Sequence, residues 1–161
     1  MLKEALKSNK SSEYEKHSYE VNFYYSAYIG TNYLPSPSER LKIYKKIQKT
    51  NNNDKVDEIK QNLIDRCGKM PTESMNLLNN KKIQNRIVNT GIKSIKSYED
   101  RTNFTLSTNL KDSILDNLLN LISKDSNKYS LTKDNKFIYK FIESDTNKRR
   151  NNVNLLLDEI L

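Results

Sequence analysis

The chain has 161 residues, a formal charge of +8 at pH 7, one cysteine and one histidine, a length that fits one ordinary domain with a core of its own. A single cysteine excludes an internal disulfide framework, and with a single histidine it also excludes a Cys/His zinc cluster. No apolar stretch approaches the roughly 20 residues needed to cross a bilayer, and Met1-Leu2-Lys3-Glu4-Ala5-Leu6-Lys7 lacks the continuous apolar core of a signal peptide, so a cytoplasmic protein without membrane contact is expected.

Residues 8–18 are polar and aperiodic and read as a linker. Val21, Phe23, Tyr25 and Ala27 then share one parity, the pattern of a strand with one buried face. Ser36-Pro37-Ser38-Glu39 is a helix start: serine at the N-cap, proline at the first helical position, and glutamate three residues on to complete a capping box. The helix it opens places Leu41, Tyr44 and Ile47 on one face, with Ile43 beside them. Asn51-Asn52-Asn53-Asp54 interrupts and caps a second helix, whose apolar stripe is Val56, Ile59, Leu63 and Cys67 with Ile64 adjoining. Gly68 stands where a left-handed residue ends a helix. Pro71 opens a third helix, closed by Gly91. Asn79-Asn80-Lys81-Lys82 interrupts its apolar pattern, so this element depends most on tertiary packing.

Past Gly91 the chain alternates short strands and helices. Ile92–Tyr98 and Thr102–Thr108 form a hairpin around Glu99-Asp100-Arg101, and Ile114, Leu118, Leu121 and Ile122 mark a helix. Tyr129–Thr132 and Lys136–Ile142 form a second hairpin across Lys133-Asp134-Asn135, and Val153, Leu156, Leu157, Ile160 and Leu161 mark a terminal helix. The fold class is therefore α+β: an initial strand, three helices, then β-β-α-β-β-α with a small antiparallel sheet.

Chemistry is not indicated. The three glycines, Gly30, Gly68 and Gly91, form no Gly-x-x-x-x-Gly-Lys phosphate loop, so ATP hydrolysis by this chain is not expected, and neither a cofactor nor a metal is called for. Cys67 and His17 form a nominal nucleophile and base, but Cys67 lies on an apolar helix stripe and His17 in a polar linker, which makes the cysteine structural. Lys42, Lys45, Lys46 and Lys49 make a basic helical stripe, and Lys148-Arg149-Arg150 a second cluster; both read as solvated faces, with phosphate contact as the alternative. The ten tyrosines fall mostly at apolar strand or helix positions and read as core. The excess of basic residues is weak evidence for a nucleic-acid partner. Lysines outnumber arginines by 22 to 6 and about one residue in seven is asparagine, the profile of an A+T-rich coding bias, whereas phosphate binding favours arginine's planar fork.

Several separated blocks resemble the C-terminal domain of bacterial transcription-repair coupling factor (Mfd). They are Tyr33-Leu34-Pro35, Arg40-Leu41-Lys42-Ile43-Tyr44-Lys45-Lys46-Ile47, Asn62-Leu63-Ile64-Asp65-Arg66-Cys67-Gly68-Lys69-Met70-Pro71, Leu77-Leu78 and Gly91-Ile92. They stand in the family's order and spacing, most clearly over residues 27–95. The resemblance divides the chain into a residual motor-domain helix and linker at 1–18 and the coupling-factor domain at 19–161. It implies a regulatory, non-catalytic domain, or its truncated remnant, in transcription-coupled DNA repair. In the family, this domain packs against the UvrB-like N-terminal module and controls recruitment of the UvrA repair protein, while RNA polymerase and DNA are contacted only by the full-length protein. Asp65-Arg66 reads first as an internal pair tying the second helix to the Pro35–Arg40 segment, with an anchor for a partner domain through charge-assisted hydrogen bonds as the alternative. Arg40 carries the same two readings, so Arg40, Asp65 and Arg66 are the candidates for an interdomain contact. Departures from the family pattern at Gly30-Thr31-Asn32, Cys67, Asn80, Lys81 and Thr90 read as relaxed constraint. A small basic nucleic-acid-binding protein is the rival reading.

Overall fold

A computed structural model describes residues 19–161, which fall into two compact units. Residues 24–86 form a helical unit; residues 19–23 and 87–161 form a unit built on a sheet. The region expected to be a motor-domain helix and linker, residues 1–18, lies outside the described residues, as does His17.

The helical unit contains α1 (Pro37–Lys49), α2 (Asn53–Cys67) and most of α3 (Thr72–Ile87). Each start has a local cause. Ser36 Oγ accepts from the Glu39 amide at 3.4 Å, and Pro37 sits at the first position. Asn52 Oδ1 accepts from the Asp54 amide at 2.8 Å. Gly68, at φ +85°, ends α2 by donating its N–H to Ile64 O at 2.8 Å. The core joins Ile47 of α1, Val56, Ile59 and Leu63 of α2 and Leu78 of α3 to Ile29, Leu34 and Met70 from the connections. Cys67 and Ile64 pack against it, half-buried. Leu41 does not take its expected place in the core and is 55% exposed. The buried edge of α1 runs instead through Ile43, Tyr44 and Ile47, because the Tyr44 hydroxyl points inward to accept from the Ile29 amide at 2.7 Å.

Helix α3 shows why its apolar pattern is broken. Its buried side chains fall on opposite faces: Ser74 and Leu78 on one, Asn76 and Ile83 on the other, so no single stripe can emerge from the sequence. Its polar side chains bind a strand-like segment. Asn76 Nδ2 donates to Ser26 O at 3.0 Å, Ser74 Oγ to Tyr28 O at 3.0 Å, and the Tyr25 hydroxyl to Asn80 Oδ1 at 2.5 Å. Lys81 Nζ donates to Gln48 O, a carbonyl left open at the end of α1, at 3.1 Å. Asn80 and Lys81, expected to be positions of relaxed constraint, are therefore partnered.

The sheet unit contains β1 (Glu20–Asn22), β2 (Ile92–Ser97), β3 (Arg101–Leu106), α4 (Asp112–Lys124), β4 (Tyr129–Leu131), β5 (Lys136–Lys140) and α5 (Thr146–Ile160). Both expected hairpins are present, and the five strands run in the order β1-β2-β3-β5-β4. The pairing of β1 with β2 is parallel, so the sheet is mixed; parallel neighbours need a long crossover, here residues 23–91. β1 is also shorter than its alternation suggests, because Tyr24 takes φ +57° and turns the chain out of extended geometry.

Ile95, Phe104, Phe137 and Tyr139 point to the buried face of the sheet, with Phe104 and Phe137 edge-to-face at 5.9 Å. Ile114, Leu118 and Leu121 of α4 and Val153, Leu156, Leu157 and Ile160 of α5 supply the helical half of this core. Two buried hydroxyls, Ser97 Oγ and Thr102 Oγ1, satisfy each other across the hairpin at 2.9 Å. Buried Thr90, the third position of expected relaxed constraint, donates to Ile87 O at 2.6 Å and accepts from the Ile92 amide. Gly91 (φ +92°) passes so close to the next loop that an added Cβ would lie 2.3 Å from Leu110 Cα. Of the described tyrosines only Tyr139 is buried, and it stacks on Tyr129 at 5.2 Å, so the expectation that most tyrosines belong to the core does not hold. Leu161 and Ile142, assigned from sequence to a terminal helix face and a strand, are exposed, Ile142 at 88%. No helix among the described residues is long and apolar enough to cross a membrane.

Candidate docking surface

Arg40, Asp65 and Arg66 all belong to the helical unit, and each has a local partner. Arg40 Nη1 donates to Leu34 O at 2.7 Å and Pro35 O at 2.9 Å, closing the segment that leads into α1. Arg66 Nη2 meets Glu39 Oε2 at 2.6 Å, with both side chains about half exposed. The carboxylate that would close the capping box is thus turned to α2 instead, and the link joins the end of α2 to the start of α1. Asp65 accepts from Gln61 Nε2 one turn earlier, at 2.9 Å. The Tyr33 hydroxyl adds a second tie to the end of α2, donating to Gly68 O at 2.8 Å; burial and then the neighbouring Cys67 push its pKa up.

Asp65 and Arg66 also rim a groove between α1 and α2 with a volume of about 210 Å3. Its floor is Ile43, Ile59 and Leu63, and Lys46 and Asn62 complete the rim. Arg40 does not line it. An apolar floor ringed by two cations, a carboxylate and an amide is suited to receive an apolar side chain together with paired polar contacts. The exposed Glu39–Arg66 bridge is worth about 1 kcal/mol or less, so Arg66 can change partner at little cost. Asn62 and the groove floor were not singled out in the sequence, where Ile59 and Leu63 read only as core; their second role depends on how α1 lies against α2.

Beyond the groove, Lys42, Lys45, Lys46 and Lys49 are exposed, as expected of a solvated face. Arg149 is not: it is 3% exposed, and its Nη2 donates to Phe23 O at 2.7 Å. The second basic cluster is therefore partly internal, and its central arginine ties α5 to the residue that follows β1. Among the described residues no group of three or more His, Cys, Asp and Glu side chains is placed to hold a metal ion.

The family model of the TRCF domain matches residues 23–116. Over 99 residues the chain is 35% identical to the transcription-repair-coupling factor of Staphylococcus aureus, an alignment covering 60% of this chain and 8% of that protein. It is 28% identical over 119 residues to the corresponding factor of Rickettsia conorii, covering 74% of this chain and 10% of the relative. The chain thus spans about a tenth of the length of these curated relatives. A crystal structure of the C-terminal domain of transcription-repair coupling factor superposes with a TM-score of 0.68 at 16% identity, over 88% of this chain and 89% of that one. The mixed sheet and helices therefore have the fold of a coupling-factor C-terminal domain. This chain belongs to the TRCF domain family.

Proposed function

We propose that residues 19–161 act as the regulatory, non-catalytic domain of a transcription-repair coupling factor in transcription-coupled DNA repair. Its partner is the UvrB-like N-terminal module of such a factor, and the contact restrains recruitment of the UvrA repair protein. RNA polymerase and DNA are engaged only through a full-length factor. The observation that carries this reading is the groove between α1 and α2, with Asp65 and Arg66 side by side on its rim and an apolar floor behind them. Arg40 acts at one remove, holding the Leu34-Pro35 segment from which α1 starts.

The mechanism is a latch: a modest interface biases a closed state, and a competing interaction elsewhere in the factor releases it. Asp65 and Arg66 suit that task because both are exposed and only lightly engaged. Binding of the whole chain to an isolated UvrB-like module of a related factor, followed by calorimetry, is the test. Replacing Asp65 and Arg66 together by alanine is expected to weaken the complex by about tenfold or more, the two rim side chains together contributing about 1.4 kcal/mol or more. Unchanged affinity with a folded variant would refute the assignment of the groove.

A further inference from the structure

The charge of this protein is segregated. Residues 24–86 carry 12 lysines and arginines against 6 aspartates and glutamates, a net +6, whereas the described residues of the sheet unit carry 12 against 11, a net +1. Three cations of the sheet unit meet local acids, Lys96 with Glu20 at 3.8 Å, Arg101 with Asp100 at 2.9 Å and Lys136 with Asp134 at 3.5 Å, and in the helical unit Arg66 pairs with Glu39 and Lys82 with Asp57. The outer face of α1 has no such compensation. Lys42, Lys45, Lys46 and Lys49 are all exposed, and none forms an ion pair among the described residues. Leu41 lies at the edge of the same face, 55% exposed, although a place in the core was open to it by spacing.

We propose that this face of α1 is a docking surface for an acidic amphipathic helix of a protein partner. Its carboxylates pair with Lys42, Lys45 and Lys49, and one of its apolar side chains covers Leu41. The spacing i, i+3, i+4, i+7 spreads the ammonium groups over about 10 Å of helix, the spacing at which a second helix presents its own side chains. Nucleic acid fits the same charge but not the same face: a phosphate backbone offers nothing to Leu41, and lysine lacks the fork that makes arginine a strong phosphate ligand. The surface adjoins the groove at Lys46 only, and it stands whether or not the groove receives the UvrB-like module.

The whole chain is titrated, by fluorescence anisotropy, with three probes. One is a labelled helical peptide with glutamates at i, i+3, i+4 and i+7 and a leucine beside them; the second replaces that leucine by serine; the third is a 20-base-pair duplex DNA. The leucine peptide is expected to bind, more tightly at low salt. Lys42→Gln, Lys45→Gln and Lys49→Gln combined, which leaves Lys46 and the groove intact, weakens it about tenfold. Leu41→Ser in the chain, or the serine peptide, weakens it about fivefold. These substitutions are on an exposed helix face, and circular dichroism verifies that each variant stays folded. No binding of the leucine peptide at low salt overturns the proposal. So does binding indifferent to Leu41, and so does duplex DNA binding as tightly as the leucine peptide, which makes the stripe a phosphate contact.

Discussion

The two units of this protein solve the same problem with different materials. The helical unit is assembled from amphipathic stripes with starts and stops encoded next to them, and it keeps its surplus positive charge on the outside. The sheet unit nearly balances its charges and takes its definition from close, buried contacts, some across a hairpin and some far apart in sequence: Ser97 on Thr102, Gly91 against Leu110, Arg149 on Phe23. A unit held by stripes tolerates local change, because neighbouring core residues share the load. A unit held by single tight contacts does not. The tolerant unit is also the one that carries the groove and the lysine face.

Substitutions at matched positions can break this contrast. The largest effect is expected at Gly91. Alanine there faces a backbone contact at 2.3 Å and a left-handed φ, and should cost about 3 kcal/mol or more in denaturant unfolding. Arg149→Met should follow at about 2 kcal/mol, since it removes the buried hydrogen bond that Arg149 Nη2 donates to Phe23 O. Gly68→Ala, the helical-unit counterpart of Gly91, is expected to cost only about 1 kcal/mol: its φ is also positive, but nothing lies within 4 Å of the added Cβ. Equal losses at Gly68 and Gly91 would erase the distinction between the units.

The smallest effect is a pH dependence at Lys81. Burial lowers its pKa below the unfolded value of 10.5, so the folded state binds fewer protons than the unfolded one in that window. Stability of the wild type relative to Lys81→Met should therefore rise slightly as pH climbs through the lowered pKa toward 10.5, solvent screening keeping the change small. A flat or falling difference between the two proteins over that range would contradict the burial of this ammonium group.

How much of this was legible in the sequence follows the same division. Ser36-Pro37, Asn52 and Gly68 are local signals, and the structure uses each as a cap or stop, so α1 and α2 could be placed closely. Helix α3 was legible only as a weak amphipath because it is buried on two faces, and the roles of Asn76 and Asn80 depend on a segment some 50 residues earlier. Both hairpins were readable from alternation and turn residues; the parallel partner of β1 was not, since no local pattern encodes a crossover. Arg149 was misplaced on a solvated face for a similar reason: its acceptor, Phe23 O, is 126 residues away. Asp65 and Arg66, named from the sequence blocks, lie on the rim of the groove and Arg40 does not, and the groove floor emerges only when Ile43 and Leu63 come together from two helices.

The latch itself is tested most directly by competition. An isolated UvrB-like module of a related coupling factor is bound to UvrA, and this chain is added in increasing amount. If the α1–α2 groove is the restraining contact, UvrA is displaced in proportion to the chain bound, and the Asp65→Ala, Arg66→Ala double variant displaces about tenfold less effectively. Simultaneous binding of UvrA and the chain to the module, with no loss of either, would contradict the account.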